Sequence, residues 1–78
     1  MKENQSQAND LNKLALKLLE KRKSLGLTQD AMAKALDLST TVYGGIERGT
    51  YRLNLKLLTR IANFLDISLK ETMYLYMH

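Results

Sequence analysis

The stretch from Leu27 to Gly49, LTQDAMAKALDLSTTVYGGIERG, constrains the fold more than any other part of this chain. Its pattern predicts two short helices joined by a tight turn. Thr28 can cap the first, because its oxygen accepts from an N–H that the first helical turn leaves unpaired. Ala31, Met32, Ala35 and Leu36 then recur at i, i+1, i+4 and i+5, an apolar stripe. Asp37, Leu38 and Ser39 interrupt that period. Ser39 can cap a second helix, whose inward positions are Val42 or Tyr43 together with Ile46, and Gly49 is its stop. Helices this short are unstable alone, so each must pack on the other and on its flanks. Small residues at Ala31, Ala35 and Gly44 suit a close crossing. Such a pair commonly serves to read DNA.

The flanking segments supply the packing partners. Residues 1–8 are polar and aperiodic and are expected to be a flexible arm, with residues 9–78 as one domain. Asn9 or Asp10 can cap a first long helix, in which Leu11, Leu14, Ala15, Leu18 and Leu19 form one apolar face and Leu16 extends it. Gly26 breaks it. After Gly49 the segment TYRL is a loop, and Asn54 caps a fourth helix with Leu55, Leu58, Ile61, Ala62 and Leu65 as its buried stripe, widened by Leu57 and Phe64. Ser68 and Glu71 form a capping box, the sharpest helix start in the chain, predicting a fifth helix over roughly 69–76. The joints ALDLS and FLDIS, at 35–39 and 64–68, repeat one solution: an apolar residue, Asp, an apolar plug and a Ser cap. No segment alternates as a strand would. The expected class is all-α, a compact five-helix bundle.

Charge is distributed unevenly. Of twelve Lys and Arg and eight Asp and Glu, residues 24–45 hold only one positive and two negative charges. Residues 46–60 hold Arg48, Arg52, Lys56 and Arg60 against Glu47 alone. A nearly uncharged second helix followed by a basic segment fits a reading helix flanked by phosphate clamps. Lys21, Arg22 and Lys23 end the first helix, either as a solvated last turn that suits the dipole or as further phosphate contacts. Glu47 sits near the end of its own helix, where the dipole disfavours an acid, so a local donor such as a backbone N–H or Arg52 is expected.

Several functions are poorly supplied. The chain has no cysteine and a single histidine, the terminal His78, so thiolate chemistry, disulfides and His-based metal sites have no residues to build on. Ser24, Ser39 and Ser68 serve better as caps and turns than as nucleophiles, and there is no Gly-rich phosphate loop. Catalysis, a cofactor and a small-molecule ligand are not expected. Neither is a membrane contact, since no apolar run could span a bilayer and the first ten residues lack a signal-peptide core. A cytoplasmic protein is the default.

The tail carries more apolar surface than one helix face requires. Phe64, Leu69, Met73, Tyr74, Leu75, Tyr76 and Met77 either seal the far end of the core or form a surface for self-association. A domain with one short helix in one groove reaches few base pairs. Doubling it about a two-fold axis sets two such helices about 34 Å apart and makes a palindromic site the expected target.

The runs LGLTQDAMAKALDLSTTVYGGIERG and LNLKLLTRIANFLDISLKE resemble the Cro/C1-type (XRE-like) helix-turn-helix domain of bacterial and phage regulators. The likeness covers residues 11–73 and rests on the LTQ start, the DLS turn, IERG and the IAxxLxIS spacing together. It implies a lambda-repressor-like bundle with the helix-turn-helix at about 28–36 and 40–48, the second helix entering the major groove. A chain of this size is similar to restriction–modification controller proteins and small phage-type repressors, many of which bind pseudo-palindromic operators as homodimers. By the resemblance, Gln29 touches phosphate or supports a base contact. Thr40, Thr41 and Gly45 fall at base-reading positions, and Glu47 matches a structural acid. Thr50, Tyr51, Arg52 and Asn54 occupy the loop that approaches the sugar–phosphate backbone, and Lys56 follows it.

The departures carry information too. Asp37 and Asp66 stand where relatives often have glycine, and Leu53 where proline is frequent. Gly44 and Gly45 lie inside the reading helix, each at about 1 kcal/mol of helix propensity against alanine. Gly45 offers no side chain, so base readout is expected from Thr40, Thr41 and the long-reach Arg48 and Arg52, with a share from DNA shape. The alternative function is a protein-interaction module on the same fold, antitoxin- or adaptor-like, with a protein partner in place of duplex DNA.

Overall fold

In the computed structural model, which describes residues 12–78, every helix begins at a side-chain oxygen that accepts a first-turn N–H. Asn12 starts α1 (Lys13–Ser24), Thr28 starts α2 (Gln29–Ala35), and Ser39 starts α3 (Thr40–Arg48). Asn54 starts α4 (Leu55–Leu65) and Ser68 starts α5 (Leu69–Met77). The five capping bonds run from 2.8 to 3.1 Å. Each contributes about 1 kcal/mol. Four caps are those expected from sequence. The first is not: α1 starts at Asn12 rather than at Asn9 or Asp10, because a third residue of the same chemistry lies closer to the packed leucines. The expected arm over residues 1–8, Asn9, Asp10 and Leu11 lie outside the described residues.

The four joints share one closure as well. Gly26, Asp37, Gly49 and Asp66 are left-handed, with φ of 69°, 59°, 77° and 58°. In each case the next N–H reaches five residues back: Leu27 to the Arg22 carbonyl, Leu38 to Ala33, Thr50 to Gly45 and Ile67 to Ala62, at 2.8 to 3.1 Å. These reach-back bonds satisfy carbonyls that the helix ends leave open. Asp takes the left-handed position at about 1 kcal/mol or more of strain relative to glycine.

The core is one cluster drawn from α1 to α4: Leu14, Leu18, Met32, Ala33, Leu36, Tyr43, Ile46, Leu53, Leu58 and Ile61. α2 packs on α3, α1 on both α3 and α5, and α4 on α5. Three expectations about facing change here, and one open alternative is resolved. Ala33 is the buried alanine of α2 while Ala35 is exposed, so Ala33 rather than Ala35 lines the close crossing. Tyr43, fully enclosed, is the inward residue, with Val42 only half-buried. Leu16 and Leu55 face out, 45% and 60% exposed, instead of extending their stripes. Leu65 and Leu19 are half-buried at the edges. The five-helix, all-α expectation holds for the described residues, among which there is no strand and no helix long and apolar enough to cross a membrane.

Candidate nucleic-acid interface

α3 carries Thr40 and Thr41 exposed on its first turn and Arg48 exposed on its last. The Thr40 hydroxyl donates to Asp30 Oδ1 at 2.6 Å. Its proton is therefore engaged, and what it presents outward is a lone pair and a methyl group, suited to an exocyclic amine or a thymine methyl. Asp30 sits on the first turn of α2 and also pairs with Lys34 at 3.4 Å. The Thr40 hydrogen bond and then Lys34 hold its carboxyl below the usual carboxylate range. Sequence reasoning passed over Asp30, because a partner ten residues away leaves no local signal.

The last turn of α3 is held by Glu47, whose side chain is 6% exposed. Arg22 donates to it twice, from Nε at 2.6 Å and Nη2 at 3.3 Å, while Nη1 reaches the Leu27 carbonyl at 3.0 Å. Gln29 Nε2 adds a bond at 2.9 Å and the Tyr43 hydroxyl one at 2.5 Å. Burial alone would raise the Glu47 carboxyl; the three donors outweigh it and hold it below its ordinary value. The same bond to Glu47 raises Arg22, and burial pushes the Tyr43 phenol well up. Three helices are thereby pinned at one carboxylate. Arg22 is thus engaged internally rather than offered to phosphate, and Glu47 draws its donors from Arg22, Gln29 and Tyr43 rather than from a backbone N–H or Arg52. Gln29 uses its amide N–H on this cluster.

Gly45, expected at a base-reading position, is buried. Its carbonyl accepts from Thr50 N, Tyr51 N and the Thr50 hydroxyl at 2.9, 3.2 and 3.3 Å. A Cβ there would lie 3.2 Å from Tyr51 Cβ. The loop after α3 is folded onto this glycine, and a side chain there would have to push it back by a few tenths of an ångström. The loop's other end is anchored at Leu53, whose N–H donates to the Tyr76 hydroxyl at 2.9 Å. Between these anchors Tyr51 and Arg52 are exposed, as is Lys56 on the next turn. Thr50 uses its hydroxyl on Gly45, and Asn54 uses its side-chain oxygen to cap α4. Arg60 donates to the Leu36 and Asp37 carbonyls, both at 3.2 Å, so this cation closes the end of α2 instead of joining the basic surface. Lys23 is exposed, and Lys21 lines an open groove between α1 and Leu65.

The tail residues divide. Phe64, Leu69, Leu75 and Tyr76 pack partly buried against the core, whereas Met73, Tyr74 and Met77 are 40%, 55% and 75% exposed. These three lie at i, i+1 and i+4 and so share one face of α5. His78 stacks on Tyr74 with centroids 4.1 Å apart.

A helix-turn-helix family model matches residues 18–71, which span α2, α3 and the helices that brace them. The chain belongs to the helix-turn-helix family. This is a family of DNA-binding regulators, and the Cro/C1-type resemblance stands. Among relatives, the chain is 42% identical over 60 residues to the ImmF control region 10 kDa protein of Bacillus phage phi105, a match covering 77% of this chain and 67% of that protein. Among solved structures, the restriction–modification controller protein C.AhdI from Aeromonas hydrophila superposes with a TM-score of 0.64 at 35% identity, over 81% of this chain and 91% of that one. As a helix-turn-helix regulator, this protein presents α3 with Thr40, Thr41 and Arg48 exposed and braces its last turn through Glu47.

Proposed function

We propose that the chain is a sequence-specific transcriptional regulator of the controller or repressor type, acting in the cytoplasm as a homodimer on a pseudo-palindromic operator. The observation that carries this is the exposure of Thr40, Thr41 and Arg48 on α3 together with that of Tyr51 and Arg52 in the loop folded against Gly45 and of Lys56 just beyond it. Thr40 and Thr41 read base edges, while Arg52, Lys56 and Lys23 hold phosphates. The resemblance to a phage control-region protein and to a restriction–modification controller supports the regulatory role. The exposed Met73–Tyr74–Met77 face supports the dimer. A two-fold dimer would place its reading helices about 34 Å apart, one turn of duplex.

Titration of labelled operator, found by selection from a random duplex library, and of unrelated duplex tests the proposal. Four to eight neutralised phosphates would give a slope of log K against log salt of about −4 to −7. Specific and nonspecific binding should separate by several orders of magnitude at moderate salt. Absence of binding at low salt would favour the second reading, a protein-interaction module using the same exposed α5 face.

A further inference from the structure

Two of the nine residues of α3 are glycines, and the structure gives each a different reason. Gly45 admits the loop. Gly44 meets no loop atom: a Cβ placed there would lie 3.1 Å from Arg48 Nη1 and 3.8 Å from Gln29 Oε1. From the Gly45 Cβ position, Arg48 Nη2 is 3.9 Å away. Side chains on a helix lean back over the residues three and four positions before them. Arg48 does so here, and because those residues are Gly44 and Gly45 its two terminal nitrogens come to lie beside the positions their side chains would occupy. Thr40, Gly44 and Arg48 follow one another at steps of four along one line of α3. An arginine rooted on the last turn thereby brings its five donors to the middle of the reading helix, where the chain itself has no side chain.

We propose that Gly44 forms a notch seating the Arg48 guanidinium, and that Arg48 in this seat reads guanine, making it the main specificity residue of the α3 surface. The inference rests on the DNA-binding function proposed above and deepens it. The guanidinium fork matches the O6 and N7 acceptors that guanine presents in the major groove. Arg48 is exposed, and among the described residues no hydrogen bond or ion pair engages it. Arg22 and Arg60, by contrast, are both held by internal acceptors. Thr40, with its proton on Asp30, cannot also donate that proton to guanine, so the donor role on this line falls to Arg48.

The test is selection of bound duplexes from a randomised library, followed by competition titration, with the parent chain, R48A and G44A. The parent should select a guanine at one fixed position of each half-site. R48A should lose that guanine while keeping the other positions, its preference for guanine over adenine falling about five- to hundredfold. G44A should melt several degrees higher, because alanine is the better helix former and the atom it meets is the movable end of Arg48. It should nonetheless lose much of the same guanine preference, since the methyl displaces Nη1. A more stable protein with poorer discrimination is the signature of the notch. Unchanged guanine selection by R48A overturns the inference, and so does a uniform loss of affinity for every sequence, which would make Arg48 a phosphate clamp. A G44A protein that keeps full discrimination overturns the seat. A parent chain that binds no duplex at low salt overturns the DNA-binding function itself, and this inference with it.

Discussion

Arg22 and Glu47, 25 positions apart, meet through two hydrogen bonds of 2.6 and 3.3 Å and so fasten the end of α1 to the end of α3. Both side chains are largely withdrawn from solvent, 16% and 6% exposed. Removing one partner of such a pair leaves the other charged and poorly solvated. R22A is expected to cost about 2 to 4 kcal/mol in urea unfolding, and E47A at least as much, since it also strands the Tyr43 hydroxyl. The double variant should cost clearly less than the sum. Additive losses would mean that the pair is not coupled in solution.

The same cluster sets the acid limb of stability. Glu47 is held below the ordinary carboxylate value of about 4.3, so the native state stays ionised where the unfolded chain takes up protons. Its contribution is complete above about pH 5 and is lost as pH falls through 4.3 toward the lower native value. On the alkaline side the raised Tyr43 phenol predicts loss of stability above about pH 10. Melting curves from pH 3 to pH 7 should show a shallower acid slope for E47Q than for the parent.

G45A should behave opposite to G44A. Its methyl would press on Tyr51 Cβ at 3.2 Å, and that atom is rooted in backbone held by the Gly45 carbonyl. The helix-propensity gain of about 1 kcal/mol is then outweighed by strain of about 1 to 3 kcal/mol. A lower melting temperature and a roughly uniform loss of DNA affinity are expected, because Arg52 shifts with the loop.

Tyr76 packs half-buried against the core, and its hydroxyl accepts from the Leu53 N–H. Y76F removes that acceptor and leaves a buried donor unpaired, at about 1 to 2 kcal/mol. Amide exchange at Leu53 should accelerate more than exchange in α2. Equal acceleration everywhere would show that only global stability had changed.

Association should depend on Met73, Tyr74 and Met77. A chain bearing M73E, Y74E and M77E should keep its melting temperature within a few degrees, since all three side chains are exposed. Its dimerisation constant by sedimentation should weaken by at least about tenfold. Unchanged association would place the two-fold interface elsewhere, with α4 as the next surface to test.

Much of this fold is written locally. Ser39, Asn54 and Ser68 announce helix starts because capping involves residues three apart. Gly26 and Gly49 announce ends because a left-handed residue is a property of one position. Asp37 and Asp66 could be placed for the same reason, through the repeated DLS and DIS joints. The exposure of Thr40, Thr41, Arg48 and Lys56 also follows from the phase of well-marked helices. What sequence could not determine was the choice between equivalent candidates. The apolar period of α2 can be phased to Ala31 and Ala35 or to Ala33 beside Met32 and Leu36, and only packing of α2 on α3 selects Ala33. Asn12 and Asn9 have the same capping chemistry, and the position of the packed leucines decides between them. A cation has no local signature of its partner either: Arg22 meets Glu47 and Arg60 meets the end of α2 across 23 to 25 residues, while Arg48 and Arg52 remain outside. Caps and turns involve neighbours in the chain, so sequence alone determined them; ion pairs, rotational phase and the fit of a loop against Gly45 involve neighbours in space, and only the tertiary structure could decide those.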